Sequence, residues 1–431
     1  MSSVSERIVD GIGSDGIERF VPAHAVRILG RSDARDIDAG EVTEAVATIV
    51  FIDLRNFTTL SEEMEPEAVV RFLNDWYGVI EPVIAEYGGF IDKYIGDAAL
   101  AVFTGETDQA VLCCVEMLRR LERLNLARLA EGRPPLRAGI GMNTGITAFA
   151  AIGSPDRTDL TVIGDTVNIA ARLEALTRTY GVDLLLSEHA HARLSDPDAF
   201  DLRFIDRILV RGKKIPLSIY EAFGGASDTE RAAKKGHLRE FDRAVAYYHY
   251  GNVSEARPTF ERCLVSCPSD GAAVEYLRRC VEFEKTGILE RAAEMRTYPA
   301  WSPEFSVGHD IIDAHHRKLF ESVAVLLRMI DADDYTKIGA VIEFLTKYVE
   351  VHFRTEEDLM RACTYPFFAD HKAQHDRFAV VYASLVRELS AASHHAVYIA
   401  FRVRILVVDW LLNHTTKADP HLGRYLARKA C

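Results

Sequence analysis

The period of apolar and polar positions changes several times along this chain, and each change marks an element. A strand-like run, Val46–Ala47–Thr48–Ile49–Val50–Phe51–Ile52, ends at Asp53. From Pro66 the apolar positions Val69, Val70, Phe72, Leu73, Trp76, Val79 and Ile80 recur at helical spacing. They predict an amphipathic helix from Pro66 to Tyr87, opened by a proline and stopped by Gly88–Gly89. Two strands are expected around Ile91 and over 99–103, with Gly96–Asp97 between them, and then a helix over 107–130. A strand from Leu136 into Met142 follows, then a turn at Asn143–Thr144–Gly145 and another strand. The order strand–helix–strand–strand–helix–strand predicts an α+β domain of ferredoxin-like arrangement.

Near Gly224–Gly225 the period becomes helical throughout, with one turn at Pro268–Ser269–Asp270. The spacing of Tyr247, Ala256, Phe260 and Pro268 resembles one tetratricopeptide (TPR) repeat, although a packed helical connector explains it equally well. Tyr298–Pro299–Ala300–Trp301–Ser302–Pro303 interrupts the helices. Four long helical patterns come next, over about 310–331, 334–362, 367–390 and 395–416, and predict an all-α antiparallel four-helix bundle. The expected organisation is a leader over 1–46 with one helical pattern near Ile17 to Leu29, the α+β domain over 47–225, a short helical, TPR-like connector over 226–296 and the bundle over 297–431.

Composition narrows the classes. With 431 residues, two or three domains are expected. The net charge of −13 argues against a broad nucleic-acid-binding face. It leaves a nucleotide site open, because such a site needs only a few local cations. No run approaches a membrane span, and Met1 to Asp10 does not read as a secretory signal. Seven cysteines without a CxxC pair suit free thiols in a reducing cytoplasm.

The first candidate chemistry lies at Asp53, on the end of a buried strand, and Asp97, on a tight turn between two strands. Alone, an aspartate in such a place is a turn or cap residue. If these strands pair, the two carboxylates meet at one sheet edge and suit two divalent cations, Mg²⁺ or Mn²⁺. Backbone amides from Leu54 to Thr58, including those of Phe57 and Thr58, suit phosphate oxygens at a helix start.

Three motifs occur in order: Phe51-x-Asp53-x-x-x-Phe57-Thr58, then Gly88–Gly89 leading to Lys93-x-x-Gly96–Asp97, then Ile163–Gly164–Asp165-x-Val167–Asn168-x-Ala170-x-Arg172–Leu173–Glu174. Together they resemble the class III adenylate and guanylate cyclase catalytic domain over roughly residues 47 to 223. The resemblance implies a two-metal cyclisation of a purine nucleotide. Asp53 and Asp97 match the metal ligands, Asn168 the residue that orients the ribose, and Arg172 the cation that stabilises the transition state. Lys93 and Thr161 match the base-reading positions. An ammonium only donates, so Lys93 suits adenine N1, and the Thr161 hydroxyl accepts from the 6-amino group. ATP is the expected substrate, and guanylate cyclase, which carries Glu in place of Lys93, is the disfavoured alternative. Asn56 departs from the family's usual Gly, and Asn tolerates unusual backbone angles. Because one chain carries both the metal-binding and the base-reading sets, the resemblance implies a homodimer with two equivalent sites.

The second candidate chemistry lies in the bundle. His352 and Glu356, and likewise His371 and His375, stand at i, i+4 on one helix face. His316 lies on the first bundle helix, and His414 and Asp419 at the end of the fourth. A spacing of five falls off one α-helical face, so Asp419 is expected to reach in from the helix end. Five histidines and two carboxylates from four helices suit a dinuclear centre with bridging carboxylates, and imidazole-rich ligation favours iron. The set resembles bacterial hemerythrin over about 297 to 431, with supporting residues Trp301, Phe305, Gly308, Met360, Tyr365 and Trp410. His315 stands where the family usually has Gln, but the motif offset favours His316 as the ligand. His309, His394, His395 and His421 are read as ordinary surface or core residues. The resemblance implies two iron ions with bridging oxygen species and reversible O₂ binding. Fusion to a cyclase then suggests control by oxygen or redox state. The competing reading is an O₂- or iron-binding protein whose cyclase half is a dimerisation scaffold. The joint presence of Asp53, Asp97, Asn168 and Arg172 disfavours it.

Overall fold

A computed structural model describes residues 23–62, 64–154, 157–209, 216–290, 299–332, 338–391 and 396–429. The predicted helix near Ile17, the break at Tyr298 and the pair His394–His395 fall wholly or partly outside these residues. The chain divides into two compact units, Met1–Arg203 with Tyr220–Ala232, and Phe204–Ile219 with Ala233–Cys431.

The first unit is built on strand β1, Val42–Leu54, which pairs antiparallel with β3, Ala98–Phe103, and with β4, Ala138–Ser154. Strand β2, Phe90–Ile95, pairs with β3, which gives the antiparallel order β2-β3-β1-β4 of a ferredoxin-like sheet. Strand β5, Arg157–Ile163, pairs with β4 on a side branch, and β6, Leu184–Ser187, runs parallel to β4. Alternation along β1 sends Val50, Ile52 and Leu54 to one face and Ala47 and Ile49 to the other, and both faces are covered. On the first face lie α1, Pro66–Glu86, with Trp76, Ile80, Val83 and Ile84, and α2, Thr107–Ala130, with Val111, Cys114 and Leu121. Burying each large aliphatic side chain here contributes about 1.5–3 kcal/mol before the entropy of ordering is counted. On the other face, α3, Asp165–Tyr180, lies so close to β4 that a Cβ on Gly141 would strike the helix backbone at Ala170 and Glu174.

One expectation fails here. Asn143–Thr144–Gly145 is not a turn but the middle of the 17-residue strand β4, paired with Ile49, Thr48 and Ala47. The polar side chains that would otherwise fold back on the local backbone have tertiary partners. Asn143 donates to the Thr166 carbonyl at 3.0 Å and accepts from the Ser187 hydroxyl at 2.6 Å, and Thr144 shares a hydroxyl bond with Thr48.

The second unit contains helices α4, Asp228–His249, α5, Val253–Ser266, and α6, Gly271–Thr286. Phe241, Phe260 and Tyr276 form their aromatic core, and Asp270 caps α6 by accepting from the Ala273 amide. The bundle follows as α7, Asp310–Asp331, α8, Ile338–Ala362, and α9, Phe368–Ala391, with apolar residues of all four helices buried between them. Its fourth helix is expected to end near 416 but continues to Lys429. It changes from α at Ala396–Val403 to a π turn at Arg404–Val408, then α at Asp409–Asn413, π at His414–Ala418, and α at Asp419–Lys429. The remaining strands, β7, Leu202–Ile208, and β8, Leu217–Ala222, each cross the division between the units. Five of the described cysteines are free and buried, but Cys363 is disulfide-bonded, which corrects the expectation of free thiols throughout. Among the described residues, no helix is long and apolar enough to cross a membrane.

Candidate functional site

The end of β1 and the β2–β3 turn build the first site. Ile52 pairs with Ala99, and Ile95 with Ala98, so the turn Gly96–Asp97 stands beside Asp53. Gly96 takes φ +66°, which lets two residues close the hairpin. Asn56, just beyond Asp53, takes φ +63°, the left-handed angle anticipated for the usual glycine position.

Burial first, and then the neighbouring Asp53 charge, raise the Asp97 carboxyl to about 6. Glu174 on α3 is a third carboxylate here, raised to about 7 by burial and by Asp53. It lies over Gly139, the register partner of Asp53, and its buried Oε1 has no hydrogen-bond partner. Arg178 donates to Asp53 Oδ2 at 2.6 Å. Crowded carboxylates with an orphaned buried oxygen form a donor set that fits divalent cations. Glu174 closes the third sequence motif without an expected role, and Arg178 lies outside the motifs. Their i, i+4 spacing, which puts Glu174 and Arg178 on one face of α3, was the only local signal.

Phe57 stacks on Phe72 at 5.9 Å and packs against the core, leaving its amide at the start of a short helix, with Thr58 exposed beside it. On β2 and β5, Lys93 donates to Thr161 Oγ1 at 2.5 Å. Asp92, almost fully buried, lies 3.1 Å from the same ammonium, and burial raises its pKa. Asn168 and Arg172 stand one turn apart on the exposed side of α3. Among the described residues, no side-chain hydrogen bond or ion pair ties either of them to the rest of the chain.

The second site is buried in the bundle. Two groups of potential ligand atoms, each within 4.8 Å of one another, are formed by Glu356, His371, His375 and His414, and by His316, His352, Glu356 and Asp419. Glu356 belongs to both. Asp419 also reaches both, lying 3.1 Å from His316, 3.4 Å from His371 and 3.0 Å from His414. Both His316 nitrogens, both His352 nitrogens, and both oxygens of Glu356 and of Asp419 are buried without a hydrogen-bond partner. The Nε2 atoms of His375 and His414 face each other at 3.1 Å. Burial lowers His352 to about 4 and His375 to about 3, so both imidazoles are neutral, the form that binds metal. Orphaned buried lone pairs aimed at common points fit a pair of metal ions sharing carboxylates.

The structure brings His316, not His315, into this cluster; His315 packs edge-on to Tyr348 and His352. Asp419 does not reach in from a helix end. The turn His414–Ala418 is π, with the Asp419 amide donating to the His414 carbonyl, so a spacing of five is one turn of this helix. Outer contacts orient the ligands, Trp410 from the residues that support the resemblance and Glu357 and Phe353 unforeseen in the sequence. Glu357 lies 3.4 Å from His375 Nδ1, Phe353 stacks on His375 at 3.8 Å, and Trp410 stacks on His414 at 4.4 Å. His421 hydrogen-bonds the Tyr365 hydroxyl at 2.7 Å.

Residues 41–221 match the adenylate and guanylate cyclase catalytic domain, and residues 307–426 match the hemerythrin HHE cation binding domain. The chain therefore carries a domain of each family. An adenylate cyclase of Anabaena cylindrica is 41% identical over 213 residues, covering 48% of this chain and 42% of that protein. The adenylyl cyclase CyaB of P. aeruginosa is 30% identical in its solved structure, covering 42% of this chain and 95% of that one, with a TM-score of 0.38. The guanylyl cyclase Cya2 is 31% identical, covering 44% and 97%, also with a TM-score of 0.38. The chain spans less than half the length of the first curated relatives it matches.

Proposed function

We propose that this protein is a cytoplasmic, homodimeric adenylate cyclase that converts ATP to 3′,5′-cyclic AMP and pyrophosphate, and that a C-terminal di-iron centre regulates it by oxygen or redox state. The observation that carries the enzymatic reading is the Lys93–Thr161 pair, held at 2.5 Å in the same unit as the Asp53–Asp97 pair. A donor-only ammonium beside a hydroxyl that can accept matches adenine N1 and its 6-amino group, and the ammonium mismatches the donor at guanine N1.

Asp53 and Asp97 would hold two divalent cations, which supply a lowered pKa for the ribose 3′-hydroxyl and charge neutralisation at the triphosphate and leaving pyrophosphate. The amides from Leu54 to Thr58 donate to phosphate oxygens. Asn168 orients the ribose, and Arg172 balances charge that builds on the phosphates. Both stand exposed on α3 without a side-chain partner among the described residues, which suits action across a two-fold interface, each chain completing its partner's site. In the bundle, His316, His352, Glu356, His371, His375, His414 and Asp419 would hold two iron ions, which supply reversible O₂ binding.

Purified wild type, given ATP and GTP separately with Mg²⁺ or Mn²⁺, should make cyclic AMP and little cyclic GMP. Asp53→Ala protein that still makes cyclic AMP refutes the site. Anaerobic purification with iron, followed by ATP turnover of the diferrous, oxygenated and diferric forms, tests regulation. Identical rates would sink it.

A further inference from the structure

Residues 204–209 and 216–219 lie within the residues that match the cyclase domain, yet they pack in the second unit with α4, α6 and the bundle. Charged groups without access to water make that contact. Arg207 of β7 grips the carboxylate of Asp409 on the fourth bundle helix with two bonds, at 2.7 and 2.5 Å, and Ser218 of β8 adds a third at 3.0 Å. The Arg207 and Asp409 side chains are 5% and 1% exposed. Next to Arg207, Asp206 accepts from Arg279 at 2.8 Å and lies 3.1 Å from His249, and the Tyr276 hydroxyl donates to the Ile205 carbonyl at 2.7 Å. Phe401 meets Phe204 edge-on at 5.2 Å. A buried bidentate pair tolerates little change in the position of either partner. Motion of Asp409 therefore has to be followed by β7 and β8, or the pair must break.

Asp409 is also tied to the metal centre. It opens the α segment Asp409–Asn413, which is bounded by the two π turns, and the ligand His414 opens the second of them. The Trp410 ring lies flat on His414 at 4.4 Å. A π turn carries one residue more than an α turn, and moving that residue along the helix rotates the residues it passes by about 100°. A helix with two π turns flanking one α turn has alternative registers at hand, which is the two-state element that coupling requires.

We propose that Asp409 is the coupling residue of this protein: a change of state at the metal pair shifts the π register around His414, and Arg207 and Ser218 carry the shift of Asp409 into the β7–β8 hairpin. Strand β7 begins at Leu202 and β8 ends at Ala222, so both run on into the unit that holds Asp53 and Asp97. The inference rests on the reading of the bundle as a redox-active di-iron centre.

The test is hydrogen exchange by mass spectrometry on the full, iron-loaded chain, diferrous against diferric, with cyclase turnover measured on the same samples. In wild type, exchange in peptides covering 202–209 and 216–222 should differ between states by about fivefold or more, the lower end of ordinary coupling. Asp409→Asn should keep its iron content and visible spectrum and lose that difference. If Asp409→Asn fails to load iron, Ser218→Ala, which removes one bond of the three, should reduce the difference. Equal hairpin exchange in both wild-type states, or a variant that retains the full difference, overturns the proposal even if turnover depends on state. A hairpin that responds while turnover does not supports the coupling contact and removes regulation of the cyclase instead.

Discussion

The crowding of Asp53 and Asp97 predicts how protons compete with metal at the cyclase centre. With its carboxyl raised to about 6, Asp97 is mostly ionised at pH 7 and mostly protonated at pH 5. A cation must displace that proton, so the apparent dissociation constant scales as 1 + 10^(6 − pH), and affinity should weaken about tenfold between pH 7 and pH 5. The sign follows from the cause. Burial and the Asp53 charge disfavour the ionised form, so this group contributes stability to the metal-free fold below the ordinary carboxylate range near 4. That contribution is lost as pH rises through about 6. A bound cation reverses the sign by favouring ionisation.

Mn²⁺ binding, read by electron paramagnetic resonance of the free ion, measures this without turnover, provided the bundle is first loaded with iron. Arg178→Ala supplies an internal control. The Arg178 guanidinium lowers Asp97, so its removal should move the inflection upward, though modestly, because that side chain is largely exposed. An affinity that changes less than about twofold between pH 7 and pH 5, or an inflection near the ordinary value of 4, refutes the reasoning.

Asp53→Ala and Arg172→Ala chains should each be inactive alone. Mixed in equal amounts, they should recover about a quarter of wild-type cyclic AMP formation, because half the dimers then hold one intact site. Lys93→Glu should shift the measured ATP-to-GTP preference toward GTP, since a carboxylate accepts from guanine N1 where the ammonium could not. Glu356→Gln should lower iron content at both positions, because both ligand groups share that carboxylate, whereas His352→Ala should spare most of one equivalent by metal analysis. Asn56→Val should lower the unfolding midpoint by the equivalent of about 1–2 kcal/mol, and Asn56→Gly should not, because φ +63° penalises a β-branched side chain.

Much of the cyclase half was legible because its strands and helices obey their own periods. Thr107–Ala130 falls where the apolar spacing predicts it, and the tight turn at Gly96–Asp97 follows from glycine between two apolar runs. What stayed hidden has one physical cause. Asn143 and Thr144 favour a turn by local hydrogen bonding, and only partners at Thr166, Ser187 and Thr48, far away in sequence, release them to a strand. Arg178 and Glu174 acquire meaning only when α3 is laid over Gly139 and Gly141, a proximity that no local pattern encodes.

The bundle carries the same lesson with a sharper edge. Five residues along an α-helix turn about 140° off the starting face, so His414 and Asp419 cannot share a side of an ordinary helix. The structure resolves this with the π turn His414–Ala418, and a second π turn, Arg404–Val408, precedes Asp409. Asp419 is held among the imidazoles, and Asp409 by Arg207 and Ser218. Poorer π hydrogen bonding is tolerated because both carboxylates would otherwise be buried away from their partners, which costs more. The five-residue step from His414 to Asp419, which from the sequence suggested a helix end, is therefore the mark of a continuous helix that holds a π turn. The α segment Asp409–Asn413 joins that turn directly to the carboxylate that grips β7 and β8.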